Sequence, residues 1–192
     1  MHCIGVLFDQ TSGLSVLNRI ASGSRSVPDD MSTYDAVTRI TAINAIDAAE
    51  RYAKSQNLAD PIPFVFLSAA EAGWPDVAGG RFVENNLTPG FMKRYLAAKR
   101  SVENRLLDRS RSPSSGPLLR PVIFRPSLIY SLDRPGGLPT AAAFLAGSSA
   151  LRLPFMERPV SVQALGCAVV RALGQDDVRG VQGYREIDAL TK

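Results

Sequence analysis

Short unbroken apolar runs alternate along this chain with stretches whose apolar residues recur at helical spacing. IGVLF (4–8) is such a run, closed by Asp9-Gln10-Thr11-Ser12-Gly13, and it suits a strand buried on both faces. Residues 22–33, rich in Ser, Pro, Asp and Gly, read as a surface loop. From Thr33 to about Ser55 the apolar positions Val37, Ile40, Ala45, Ala48, Ala49 and Tyr52 predict a helix, ended by Asn57 and Pro61. PFVFLSAA (63–70) is a second buried-strand run, followed by a loop with Gly73, Pro75, Gly79 and Gly80. Thr88 and Pro89 form a helix-start signal, and the helix they open runs to about Asp108.

SRSPSSGP (110–117) is a polar linker into LLRPVIFRPSLIYS (118–131), whose core VIF predicts a third strand. A Pro/Gly-rich region and a helix near 139–150 follow. VSVQALGCAVVRALG (160–174) combines a short strand-like start with a helix. Strands alternating with amphipathic helices predict a parallel α/β sheet carrying helices on its faces. Ligands of such sheets bind beyond the carboxyl ends of the strands. Ser68 and Arg125-Pro126-Ser127 occupy those ends.

Composition narrows the chemistry. With 192 residues, 45% apolar and 21% charged, the chain fits one globular domain, 1–192, with a sizeable core. Two distant cysteines, Cys3 and Cys167, build neither a disulfide framework nor a metal site, and point to a reducing compartment. A single histidine, His2, excludes a histidine-based triad and a multi-histidine zinc centre, so no metal is expected. The run 141–155 is broken by Gly147, two serines and Arg152, so no transmembrane segment is predicted. No leader pattern precedes the first apolar run. Net charge is +4, and Lys93, Arg94, Lys99, Arg100, Arg105, Arg109 and Arg111 cluster. Glu103 and Asp108 interrupt that cluster, which reads as a solvated helix face rather than a nucleic-acid surface.

The sharpest chemical feature is FMKRYLAAKRSVENRLL (91–107), where Tyr95 and Lys99 stand one helical turn apart. A phenol ordinarily ionises near about 10, too high for proton transfer at neutral pH, and an adjacent ammonium favours the phenolate. Tyr-x-x-x-Lys therefore suits a general acid/base beside a carbonyl being reduced. The alternative is a tyrosine packed on the sheet beside a lysine whose stem covers apolar surface. Trp74 is either a cleft wall or a packing residue. Tyr34 is expected to pack at a helix start, with a place facing substrate as the alternative, and Tyr130 to pack beneath the cleft; Arg152 and Arg158 are expected on the surface, with a phosphate or acidic partner as the alternative, and Cys167 inert in an apolar helix.

Taken in order, INAIDAAERYAK (43–54), FVFLSAAEAGW (64–74), YLAAKRSVENRLL (95–107), VIFRPSLIYS (122–131) and RPVSVQALGCAVVRAL (158–173) carry a resemblance. The chain resembles the atypical and extended branch of the short-chain dehydrogenase/reductase family. Within it the sequence is similar to a mitochondrial and plastid subgroup serving respiratory complex I and coenzyme Q biosynthesis. MHCIGVLF (1–8) resembles the fourth strand of that fold. The resemblance implies a three-layer Rossmann-like parallel sheet that binds NAD or NADP. It implies Tyr95 as acid/base, Lys99 as its partner and a ligand of the nicotinamide ribose, and Ser68 as the substrate-binding hydroxyl, unless the register puts Ala69 there. Arg125, Pro126 and Ser127 would form the turn against the nicotinamide, Cys3, Ile4 and Gly5 would line the cofactor cleft, and Asn44 would support the active-site helix.

The family's Gly-rich phosphate turn and first βαβαβ portion have no counterpart here. The chain is thus expected to correspond to the C-terminal two-thirds of the family fold, with weakened cofactor binding. The resemblance implies a component of mitochondrial quinone metabolism, partnered by a quinone-biosynthesis or respiratory complex and associated peripherally with a membrane. An active NAD(P)-dependent oxidoreductase or epimerase-type enzyme and a non-catalytic α/β interaction module are the alternatives.

Overall fold

A computed structural model describes residues 33–110, 116–131, 142, 145, 146, 148 and 155–192. The chain divides into two compact units, Met1–Phe66 with Gly90–Ile123, and Leu67–Pro89 with Phe124–Lys192.

In the first unit the predicted helix from Thr33 to Ser55 forms in two parts. A π-helical segment, Tyr34–Ile40, is capped by the Thr33 hydroxyl, which accepts from Ala36 N at 3.1 Å, and leads into α1, Thr41–Ser55. The helix exists as predicted, but its buried row is Tyr34, Thr38, Ala42, Ile46, Glu50 and Ala53. Ile40 and Tyr52, expected to face the core, are exposed. For Ile40 the cause is the π turn, whose i→i+5 bonding rotates the face away from a 3.6-residue count, whereas Tyr52 lies beside the Ile46, Glu50 and Ala53 row of α1. Asn57 ends the helix with a φ of 50°, the left-handed conformation that asparagine tolerates.

The helix α2 spans Gly90–Ser110, and Leu96, Ala98, Val102 and Leu106 turn inward from it. The expected cap Thr88 instead donates its hydroxyl proton to Val83 O, 3.0 Å away at the start of the preceding π-helical turn Val83–Leu87. Strands β1, Ile62–Leu67, and β2, Leu119–Phe124, are the two apolar runs expected. Ile62 N donates to Leu118 O at 3.0 Å and Ser68 N to Phe124 O at 2.7 Å. The two chains advance together, so the pairing is parallel. Ala42 and Ile46 of α1, Val102 and Leu106 of α2, and Phe64, Phe66, Leu119 and Ile123 of the strands form one buried cluster. β2 is buried along its whole length, as a strand covered on both faces must be.

In the second unit β3, Ile129–Tyr130, pairs in parallel with β4, Val160–Ser161, which runs straight into α3, Val162–Leu173. Ser161 caps α3 by accepting from Ala164 N at 3.1 Å. Strand β5, Gly180–Gln182, and α4, Tyr184–Ala189, complete it. The larger sheet has the order β1-β2-β5. Of the helix predicted near 139–150, positions 142, 145, 146 and 148 are described and helical. The expected strand 4–8 lies outside the described residues. Cys167, expected inside an apolar helix, is on the exposed side of α3, because Leu165, Ala168, Val169 and Ala172 take the buried face.

Leu106 is 1% exposed at the centre of the cluster. A Leu106→Ala change should lower the unfolding free energy by about 2–5 kcal/mol. Urea denaturation followed by circular dichroism measures this; a loss within error of zero would place Leu106 outside the core.

Candidate functional site

Helix α2 carries the first unit's chemistry. Lys99 is only 6% exposed, so the solvated face expected from the basic cluster does not extend to it. Its Nζ lies 5.0 Å from the centroid of the Phe66 ring and 5.5 Å from that of Tyr95. Burial among aromatic faces follows from spacing: Lys99 falls one turn before Glu103 and Val102, on the side that packs on β1. Tyr95 is half-buried, and the Tyr34 ring meets it edge-on, centroids 5.7 Å apart at 68°. Arg105 and Arg109 of the same basic cluster tie α2 to α1, through Asp47 at 2.9 Å and Glu50 at 3.6 Å. Arg94 is exposed, and Arg111 lies outside the described residues.

The π-helical segment adds a residue that the sequence reading missed. Thr38 is completely buried one turn beyond Tyr34, and its Oγ1 has no hydrogen-bond partner. A buried hydroxyl without a partner is costly and unusual. Asn44, assigned a supporting role by resemblance, sits on the exposed side of α1. Tyr34 also lines a cavity of about 480 Å³ with Thr33, Asp35, Arg39, Arg94, Ala97 and Ala98. Arg39 closes on Asp35 in a two-pronged ion pair that holds the Asp35 carboxyl below its ordinary range.

Ser68, Arg125, Pro126 and Ser127 belong to the second unit. Ser68 and Ala69 are both buried, at 6% and 5% exposure, and Ser68 Oγ and Ser127 Oγ are buried atoms without hydrogen-bond partners. The backbone beyond the strands stays paired, Ala70 N to Pro126 O at 2.9 Å and Arg125 N to Gln182 O at 2.9 Å. Arg125 lines a cavity of about 280 Å³ with Ala70, Trp74, Phe155, Glu157, Gly183 and Glu186, among others. Ala70, Arg125 and Gly183 each follow the carboxyl end of a strand, the place where open α/β sheets take ligands.

Local chemistry shapes this cavity. Trp74 is fixed as a wall by donating Nε1–H to Phe155 O at 2.8 Å, which supports the cleft-lining alternative for it. A side chain at Gly73 would start 2.9 Å from Arg125 Nη1, so glycine there leaves the guanidinium its place. Glu157 accepts from Tyr184 N at 3.3 Å and Glu186 from Gly183 N at 3.0 Å. Neither glutamate was singled out from the sequence. Burial pushes the Glu157 carboxyl above its ordinary value; Tyr184 N–H opposes the shift, the Glu186 charge adds to it, and Arg125 opposes it. Burial likewise raises Glu71, its own backbone N–H opposing and the Glu157 charge adding. Arg158 is exposed and stacks on Tyr184, 5.9 Å from the ring centroid, and Tyr130 lines a smaller cavity near α4.

Cys3, Ile4 and Gly5 lie outside the described residues. Among the described residues no group of three His, Cys, Asp or Glu could hold a metal ion, and no helix is long and apolar enough to cross a membrane. Parallel strands with interspersed helices and a cavity at the strand ends make this a small α/β fold, Rossmann-like in the generic sense. No family model, curated protein or solved structure matches the chain.

Raised carboxyls make stability depend on pH with a definite sign. Between the ordinary glutamate value of 4.5 and their folded values, Glu71 and Glu157 hold protons that the unfolded chain has released. Their contribution to stability is therefore greatest below 4.5 and is lost as pH rises through the folded values. Urea midpoints between mildly acidic and neutral pH should fall less steeply for Glu157→Gln, which keeps an acceptor for Tyr184 N, than for the natural chain. Identical slopes would contradict the assignment.

Proposed function

We propose that the protein is an NAD(P)-binding oxidoreductase-type α/β domain in which Tyr95 is the acid/base and Lys99 its cationic partner. The observation that carries this reading is the burial of Lys99 directly beneath the half-exposed Tyr95 ring. A buried ammonium one turn from a phenol favours the phenolate, and a group poised near neutrality is what proton transfer to a developing alkoxide requires. The roles of Ser68 as substrate-binding hydroxyl and of Arg125-Pro126-Ser127 as the turn against the nicotinamide draw support from their position at the strand ends. Two buried hydroxyls there lack partners, Ser68 Oγ and Ser127 Oγ, and both suit a polar ligand group.

In the proposed reaction the cofactor, when bound, supplies the hydride. Tyr95 gives its proton to the oxygen of the carbonyl or quinone being reduced, and Lys99 steadies the phenolate left behind. The resemblance to the coenzyme Q subgroup supports a setting in mitochondrial quinone metabolism, at a membrane-associated complex. The same motifs on a chain that binds cofactor without turning over would make it a complex component.

Two measurements test this. NADH or NADPH at millimolar concentration should raise the melting temperature, as any ligand selective for the folded state does. Against a panel of quinone and carbonyl acceptors, Tyr95→Phe should slow NAD(P)H oxidation by on the order of 100-fold or more. Oxidation at the natural rate in Tyr95→Phe would remove the acid/base role, and no thermal shift with either nucleotide would remove the cofactor.

A further inference from the structure

Helix α2 extends its line of titratable groups beyond Lys99. Glu103 stands one further turn along and is 1% exposed, among the most deeply buried side chains described. Residues one turn apart on a helix are neighbours, so Tyr95, Lys99 and Glu103 rise along one face from the half-exposed phenol into the core. We propose that Glu103 is the buried counter-ion of Lys99 and the positioning residue that holds its side chain charged beneath Tyr95. The functional meaning of this pairing rests on the acid/base reading of Tyr95; the pairing itself does not.

The carboxylates of the π-helical segment and of α1 that carry ion pairs are matched to arginines. Strand β1, which presents Phe66 to the ammonium, is Ile-Pro-Phe-Val-Phe-Leu and has no ionisable residue. On α1, Asp47 and Glu50 face Arg105 and Arg109. On the π-helical segment the exposed Asp35 is held by Arg39, and Tyr34 contributes a ring against Tyr95. Among the described residues the buried cations are Lys99 and Arg120. Arg120 is next to Leu119 on β2, and Leu119 and Ile123 face the core shared with Val102 and Leu106. By strand alternation Arg120 projects from the opposite face of the sheet, away from α2. Arg100, half-buried and three residues before Glu103, is the remaining basic neighbour on α2.

The physics requires such a partner. An ammonium taken out of water tends to lose its proton unless an opposite charge lies close, and a buried carboxylate tends to gain one for the same reason. A carboxylate one turn away favours the charged form of the ammonium. Lys99 is then charged at neutral pH despite its burial, as its place below the phenol requires. Its Nζ is also pinned between Phe66, Tyr95 and the next turn instead of reaching for solvent.

The chain has four lysines, Lys54, Lys93, Lys99 and Lys192, so the test is clean. In protein carrying carbon-13 at the lysine ε position, Glu103→Gln should lower the ionisation midpoint of Lys99 by more than about one pH unit, with the other three unmoved. Glu103→Asp should recover part of the shift. An unchanged Lys99 midpoint in a folded Glu103→Gln variant would overturn the proposal. Should that variant fail to fold, a stability cycle decides: Lys99→Met alone should lower the melting temperature more than Lys99→Met combined with Glu103→Leu. Additive losses would overturn the proposal equally. Neither readout uses cofactor or substrate, so an inert Tyr95 would defeat the oxidoreductase reading and leave the counter-ion assignment standing.

Discussion

Burying one ammonium organises the first unit. Lys99 lies inside the protein with Phe66 on one side and Tyr95 on the other. A charge in that position is unfavourable unless its surroundings answer it. Two aromatic faces stabilise it through their quadrupoles, to the extent of about 0.5–2 kcal/mol each by general experience. The rest of the packing follows: α2 presents this face to β1, Tyr34 of the π-helical segment closes on Tyr95, and Arg105 and Arg109 fasten α2 to α1. An ordinary amphipathic helix would have placed leucine or alanine at position 99. The lysine there is a departure from the simplest folding solution, and such departures tend to mark chemistry.

The second unit shows a related logic at the ends of its strands. Arg125 follows β2 directly and is flanked by a glycine that leaves the guanidinium its place, a tryptophan fixed by its indole N–H, and two glutamates held by consecutive backbone amides. Each carboxylate keeps one oxygen on a backbone N–H. Burial, with repulsion from Glu186 added, raises the Glu157 carboxyl, while the Tyr184 N–H and Arg125 restrain the rise. A rigid rim of this kind is suited to fixing polar groups on a small ligand whose body rests against Trp74 and Phe155.

Much of this was legible in the sequence, for identifiable reasons. β1 and β2 announced themselves because strands buried on both faces must be continuously apolar. The passage from strand to helix within 160–174 was visible as a short strand-like start before a periodic run, while the capping role of Ser161 emerged only from the fold. The face of the first helix was not legible, because alanine-rich turns carry little directional signal and a π turn shifts the register unannounced. Tyr95 and Lys99 were visible as a spacing, but the burial of Lys99 was not, since charge patterning predicts solvent for such a cluster. Glu157 and Glu186 stayed hidden because they meet Arg125 only through the folded chain, far from it in sequence. Thr38 and Glu103 look like ordinary polar residues of amphipathic helices until burial is known.

If Lys99 beneath the phenol serves a bound nicotinamide nucleotide, as proposed, that nucleotide must change the surroundings of its ammonium. Titration of carbon-13-labelled protein with NADH and with NADPH tests it most directly. Lys99 should shift progressively and to saturation with one of the two nucleotides. A Lys99 signal that stays fixed at every concentration of both, in a protein that remains folded, would contradict the account.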